Sequence, residues 1–416
     1  MVAIVFFVSS LYYRAFVVIF KKMAIEKNIE NDPVVRLTNS ILVEGIKKKA
    51  SDILIEPLEK NIRIRYRIDG LLREGFNPPK SIHSQLLIRI KVMAKLNISE
   101  KRLPQDGRFK LRVERSNVDF RVSIVPSSLG EKVALRILDK SALMLNLEKL
   151  GFDREEVRML REATKHPHGM ILICGPTGCG KTTTLYSLLH LVDQPEINIT
   201  STEDPVEYEI PGINQVAINP AINLTFANSL RSILRQDPDI IMVGEIRDAK
   251  TLDIAIKSAL TGHLVLSSFH SMDTPGAITR LSNMGAEPFL ITSCVLLVAA
   301  QRLVRNLCPH CKKTYQPPEK ILQALKISSK DEAVFYQPKG CSQCQGFGYS
   351  GRLGVIEVLP LNKEIKELIM KRSSESEIRK KAQELGMKTL RENAIKKLLS
   401  GETSIEEIAR VTIDDK

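Results

Sequence analysis

Residues 171–186 read ILICGPTGCGKTTTLY, and the rest of the chain takes its place from them. The apolar run Ile171–Ile173 gives way to Gly175-Pro176-Thr177-Gly178-Cys179-Gly180-Lys181-Thr182, which fits G-x-x-x-x-G-K-[ST], and a helix-compatible segment opens at Thr183. Strand, glycine loop and helix in that order is the context the motif needs. Glycines at 175, 178 and 180 let the backbone turn so that its N–H groups face phosphate oxygens. The helix that follows adds the positive end of its dipole. In that geometry Lys181 reaches the β and γ phosphates and the Thr182 hydroxyl holds Mg²⁺. A glycine-rich turn that binds nothing is the competing reading, and an eight-position match in the right context disfavours it. Residues Gly175 to Thr183 therefore imply a nucleoside triphosphate site.

Around this loop, from His166 to about Ala300, apolar runs alternate with helical segments. Such alternation predicts an α/β core with a parallel sheet and a ligand at the carboxyl ends of its strands. Three further stretches place chemistry there. Ile197–Ile199 leads into Ser201-Thr-Glu203-Asp204-Pro205-Val-Glu207-Tyr, whose carboxylates suit Mg²⁺ or an attacking water, although Asp-Pro also simply starts turns. Ile240–Val243 leads into Gly244-Glu245-Ile-Arg247-Asp248. Gly244 stands where most such motifs have Asp, so Glu245 takes the role of the acidic residue, against the alternative of a solvated strand end. Thr261-Gly-His263-Leu-Val-Leu-Ser-Ser-Phe-His270 is a buried strand with a histidine at each end. A lone histidine is more often structural, but His270 falls at the carboxyl end, where it could sense the γ-phosphate.

The chain has 416 residues, enough for two or three domains, with 43% hydrophobic and 26% charged residues, an ordinary globular balance. Its net charge of +13 suggests acidic partners, yet aromatics are 5% and Trp is absent, unlike a single-strand nucleic-acid groove. Seven cysteines include the pairs Cys308-Pro-His-Cys311 and Cys341-Ser-Gln-Cys344, separated by residues 312–340. Two such knuckles supply the four thiolates of a closed tetrahedral Zn²⁺ site; a redox pair is the weaker alternative. Cys174, Cys179 and Cys294 read as packing residues.

Val2–Phe20 is nearly all apolar and is followed by Lys21-Lys22. A membrane helix with its lysines on the cytoplasmic side is one reading, and translation beginning at Met23 is the preferred one. Residues 23–140 predict an α+β domain, with a helix over Pro33–Lys49 and strands at 51–57 and 62–68. The second strand alternates Ile62, Ile64, Tyr66 and Ile68 with Arg63, Arg65 and Arg67. Residues 141–165 read as a polar, helix-capable linker, 166–300 as the nucleotide-binding core, 301–350 as the tetracysteine module and 351–416 as a C-terminal helical region.

With these stretches in place, the chain resembles the secretion ATPases, the motors of type II secretion and type IV pilus assembly, from about Pro33 to the C-terminus. The resemblance rests on SDILIEP (51–57), RLPQDGRF (102–109), VDFRVS (118–123), GPTGCGKTTTLY (175–186), TEDPVEY (202–208), LRQDPDIIMVGEIRD (234–248), TGHLVLSSFH (261–270) and QRLVRNLCPHC (301–311). It implies a RecA-like core that hydrolyses ATP with Mg²⁺. Glu245 would be the Walker B carboxylate, Glu203 to Glu207 an acidic box, and His263 and His270 a histidine box. It implies homohexamers in which Arg108 and Arg121, with Arg136 less securely, complete a nucleotide site between domains. The competing reading for those arginines is pairing with carboxylates of their own domain. The resemblance further implies a cytoplasmic protein peripheral to the inner membrane, a membrane platform protein as partner and no direct contact with nucleic acid. The tetracysteine module points to assembly or secretion rather than retraction. An additional N-terminal docking domain, frequent in the family, is not expected here. A nucleic-acid-translocating or DNA-uptake ATPase of similar core is the alternative that the net charge suggests.

Overall fold

The computed structural model describes residues 32–113, 116–138, 146–325, 327 and 334–412, in two compact units divided between Ala142 and Leu143. The apolar segment Val2–Phe20 lies outside the described residues. Among those described, no helix is long and apolar enough to cross a membrane.

In the first unit, α1 (Pro33–Lys47) starts at Asp32, whose carboxylate accepts from the Val34 and Val35 N–H groups, with Pro33 at the first helical position. Strands β1 (Asp52–Pro57), β2 (Ile62–Ile68) and β3 (Leu71–Glu74) are followed by α2 (His83–Met93). Then come β4 (Gln105–Val113), β5 (Ser116–Ser127) and β6 (Gly130–Leu138). The six strands form one antiparallel sheet in the order β3-β2-β1-β6-β5-β4. Its inner face, including Ile53, Ile55, Ile62, Ile64 and Tyr66, packs with Ile41 and Leu42 of α1 and Leu86 and Ile90 of α2. The other face is charged, because strand side chains alternate. On it Glu56 receives Arg63, Arg65 and Lys132 at 3.1, 2.8 and 2.9 Å.

Two helices and three strands open the second unit: α3 (Arg154–Thr164), β7 (Gly169–Cys174), α4 (Lys181–Val192), β8 (Ile199–Glu203) and β9 (Asn214–Ala217). There follow α5 (Phe226–Ile233), β10 (Ile240–Val243), α6 (Ala249–Leu260), β11 (Leu264–Phe269), α7 (Thr274–Asn283), α8 (Pro288–Cys294) and β12 (Val295–Leu307). The seven-stranded sheet has the order β15-β12-β7-β11-β10-β8-β9, parallel except for the antiparallel edge strand β15 (Tyr349–Pro360). Every residue of β7, β10 and β11 is buried, as befits a sheet covered on both faces. Met170, Leu172, Ile241, Val243 and Val265 join one core with α5, α6 and α7, while Ile171, Ile173, Ile240, Met242 and Leu266 join another with α3 and α4.

The 141–165 stretch thus contains a helix, α3, that belongs to the second unit. The expected 300/301 boundary falls inside the unbroken strand β12. Residues 351–360, within the expected helical region, form most of β15, whose pairing with β12 no local pattern announces. Between β12 and β15 lie the ribbon β13 (Lys313–Tyr315) and β14 (Phe335–Gln337), with a short helix α9 (Glu319–Ala324) between them. Helices α10 (Lys363–Met370), α11 (Glu375–Glu384), α12 (Leu390–Leu399) and α13 (Ile405–Val411) finish the chain. Capping boxes at Ser374/Glu377 and Thr389/Glu392 start the middle two.

Candidate functional site

The carboxyl ends of β7, β11, β10 and β8 lie side by side. Cys174 is level with Phe269, Ser267 with Val243, and Val243 with Thr202. The residues just beyond those ends are therefore neighbours: the loop from Gly175, then His270, Glu245 and Glu203. None of this adjacency follows from the order of the chain.

The loop turns at Gly175 and Gly180 with φ of 148° and 92°. A Cβ on Gly175 would stand 2.6 Å from Cys179 Sγ and from the Gln301 carbonyl, and one on Gly180 would stand 2.8 Å from Gln301 Nε2. Only glycine allows so close an approach in that backbone region. Lys181 Nζ donates to the Gly175 and Pro176 carbonyls at 2.8 and 3.1 Å, and burial pushes its ammonium below its ordinary pKa. Helix α4 begins at Lys181 with no side-chain cap. A helix N-terminus left open at a glycine loop, with a lysine folded against it, is a fitting cradle for phosphate.

Across the strand ends runs a charged chain. His270 Nε2 lies 3.2 Å from Glu245 Oε2, Arg247 pairs with Glu245, and Arg247 also reaches Asp204 at 3.6 Å. Burial pushes the Glu245 carboxyl up, but Arg247 and His270 outweigh it and hold it below its ordinary value. Gly244 lets β10 end tightly against β8: a Cβ there would stand 3.1 Å from the Thr202 carbonyl and 3.2 Å from Glu203 Cα. That close contact accounts for glycine where an acid was looked for.

Glu203 is different. It is 3% exposed, and its carboxylate accepts from Tyr186 Oη, from Ser201 Oγ at 2.5 Å and from Gln215 Nε2 at 3.0 Å. It joins α4, β8 and β9, while Asp204 and Glu207 follow in the turn beyond.

His263 does not join the site. It precedes β11, at the amino end, with Nδ1 3.0 Å from the Ser258 carbonyl. Six strand residues separate it from His270, roughly 20 Å along the sheet.

Sequence reasoning assigned no role to Gln301 and Arg302, which sit mid-strand in β12 beside β7. Gln301 Nε2 donates to the Cys179 carbonyl at 2.9 Å and its Oε1 accepts from Thr184 Oγ1 at 2.7 Å, fixing loop to helix. The available signal was a polar pair interrupting the apolar run Val295–Val304. Tyr186 and Gln215 had no such signal.

In the first unit, Arg108 pairs in register with Arg121, and Arg121 with Arg136. Arg136 and Arg67 both reach Asp52, at 3.1 and 3.3 Å. For Arg136 the pairing within its own domain is what the structure has. Arg108 is exposed and makes no ion pair among the described residues.

The Sγ atoms of Cys308, Cys311, Cys341 and Cys344 all lie within 4.8 Å of one another, with three separations of 3.9, 3.7 and 3.7 Å. A tetrahedron of sulfurs about 2.3 Å from a central Zn²⁺ has edges of about 3.8 Å. Burial pushes the Cys344 thiol up, but N–H groups of Cys341 and Gly348, donating at 3.2 and 3.1 Å, help bring it to about 6. The donor set fits the metal.

A model of the type II/IV secretion system protein family matches residues 27–410. The chain is 48% identical over 397 residues to the type IV pilus assembly ATPase PilB of Myxococcus xanthus, covering 94% of this chain and 70% of that one. It is 46% identical over 386 residues to the type II secretion system protein E of Pseudomonas aeruginosa, with 93% and 77% covered. Among solved structures, the ATPase DotB of Legionella pneumophila shares the fold, with a TM-score of 0.66 at 20% identity over 90% of this chain and 95% of that one.

Proposed function

This chain belongs to the type II/IV secretion system protein family, and we propose that it is the ATPase that powers type II secretion or type IV pilus assembly by coupling hydrolysis to domain motion. The observation that carries this reading is the meeting of the glycine loop, His270, Glu245 and Glu203 at four adjacent strand ends.

In this reading Gly175 to Thr183 hold the polyphosphate through backbone N–H groups, and Lys181 leaves the Gly175 and Pro176 carbonyls for the β and γ oxygens. The Thr182 hydroxyl would hold Mg²⁺, which would supply charge neutralisation at the polyphosphate. Glu245 orients the attacking water, with Arg247 keeping it ionised and His270 reporting the γ-phosphate through its contact with Glu245. Glu203 holds the framework beneath them. Arg108 and Arg121 stand opposite each other on β4 and β5, while Arg136, next in the row, is taken up by Asp52. Arg108 and Arg121 stabilise the transferring phosphoryl group once copies assemble as a homohexamer, at the cytoplasmic face of an inner membrane carrying the platform protein. Cys308, Cys311, Cys341 and Cys344 hold a structural Zn²⁺ that clamps the β12–β15 excursion.

Phosphate release by the full chain across a range of protein concentrations tests this. Specific activity should rise with concentration and collapse in Arg108→Ala and Arg121→Ala. A flat profile insensitive to both would remove the assembled site. For the metal, Cys308→Ser should lower bound zinc per chain, and unchanged stoichiometry would refute the assignment.

A further inference from the structure

Arg302 is 7% exposed, inside β12 and directly behind the glycine loop. Its Nη1 donates to the Gln301 carbonyl at 2.9 Å and its Nη2 to the Met272 carbonyl at 2.7 Å. A Cβ on Gly175 would stand 3.3 Å from Nη1, so the guanidinium backs onto the first turn of the loop. Both hydrogen-bond partners are neutral. Among the described residues no carboxylate lies within ion-pairing distance of Arg302.

The two acids whose charge acts on it are engaged elsewhere. Asp273 pairs with Arg379 at 2.7 Å. Glu357 accepts from the Thr274 N–H and hydroxyl at 3.0 and 2.6 Å and from the Leu390 N–H at 3.2 Å, serving the first turns of α7 and α12 together. Arginine does not escape burial by losing its proton at ordinary pH. A buried cation without a counter-charge is costly, and the cost is offset when an anion arrives nearby. The other buried arginine among the described residues of this unit, Arg305, has its counter-charge, Glu407, at 2.7 Å.

We propose that Arg302 is the fixed counter-charge for the bound polyphosphate, acting through the glycine loop without touching the ligand. The proposal rests on reading Gly175–Thr183 as the nucleotide site. With an effective dielectric near 20, a unit charge within ~8 Å of the phosphates changes affinity by about tenfold or more. The charge, not the shape of the side chain, is what matters here.

Met272 provides an independent handle. Its side chain is 55% exposed and its Sδ lies 3.8 Å from Arg302 Nη2, so a carboxylate of similar length there would neutralise Arg302 in place. The test is the dissociation constant for ATP of the full chain, by calorimetry, for the parent protein and four variants. Arg302→Gln should weaken binding about tenfold or more, and Arg302→Lys should stay within about threefold of the parent. Met272→Glu should weaken it comparably, with Met272→Gln near the parent. If Arg302→Lys fell as far as Arg302→Gln, or if Met272→Glu bound as the parent does, the counter-charge role would be overturned while the nucleotide site stood. If Arg302→Gln did not fold, the Met272 pair would decide alone. A parent protein that bound no ATP would bring down both readings.

Discussion

Glu203 closes β8 and Glu245 lies two residues beyond β10, its parallel neighbour, yet the fold treats them in opposite ways. Glu203 is sunk under the surface and held by three neutral donors from α4, β8 and β9. Glu245 stands at the mouth of the strand ends, between a guanidinium and an imidazole that hold its carboxyl ionised. A buried carboxylate held by donors of the framework is a joint, whose loss strands those donors. A carboxylate kept charged by partners that can exchange for water or ligand is available for chemistry. Position at a strand end therefore does not fix an acid's role; what faces it does.

The contrast is most exposed to Glu245→Gln. Phosphate release should fall by about 10²-fold or more, while ATP affinity and unfolding free energy stay close to those of the parent protein. A variant that hydrolysed ATP at the parent rate would erase the distinction at once. Glu203→Gln should act on stability as well as rate. The amide N–H₂ would replace one carboxylate oxygen and face either the Tyr186 donor or the Ser201 and Gln215 donors, at a cost of about 1–3 kcal/mol in denaturant unfolding. Unfolding indistinguishable from the parent would show that Glu203 is no joint. Tyr186→Phe removes one of the three donors and should cost about 1 kcal/mol, with only a few-fold change in rate.

The smallest effect expected is a displacement in pH. Glu245 is held below its ordinary 4.5 because Arg247 and His270 outweigh burial. A depressed carboxylate keeps its favourable interactions at and above the ordinary range and loses them as pH falls through its lowered pKa. Arg247→Gln should then move the acid limb of the rate profile to higher pH. An acid limb that stayed in place would mean that Arg247 does not set the charge of Glu245.

Much of this was legible beforehand. The phrase GPTGCGKT specified its own turn, since glycine at 175 and 180 is required by φ, a local property, although the close approach of Gln301 that also requires it comes from the fold. Alternation in Ile62–Ile68 specified which face of the first sheet is buried through Tyr66, and Asp32-Pro33 specified where α1 begins. The cysteine knuckles lay at a spacing whose geometry is local at each end. His263 and His270 were less tractable, because one strand carries both and only the direction of β11 among its neighbours sends them to opposite ends of the sheet.

What the amino-acid sequence determined by itself, then, is the strand, turn and helix around the phosphate loop and the chemistry of that loop, because turns, caps and alternation depend on residues within a few positions of each other. Only the tertiary structure decided that β12 lies against β7 and brings Gln301 and Arg302 behind that loop. It likewise decided that Tyr186 and Gln215 close over Glu203, and that β4, β5 and β6 register three arginines in a row. Those pairings join residues 12 or more positions apart, and strand register and packing select them, not any preference of the residues for their immediate neighbours in the chain.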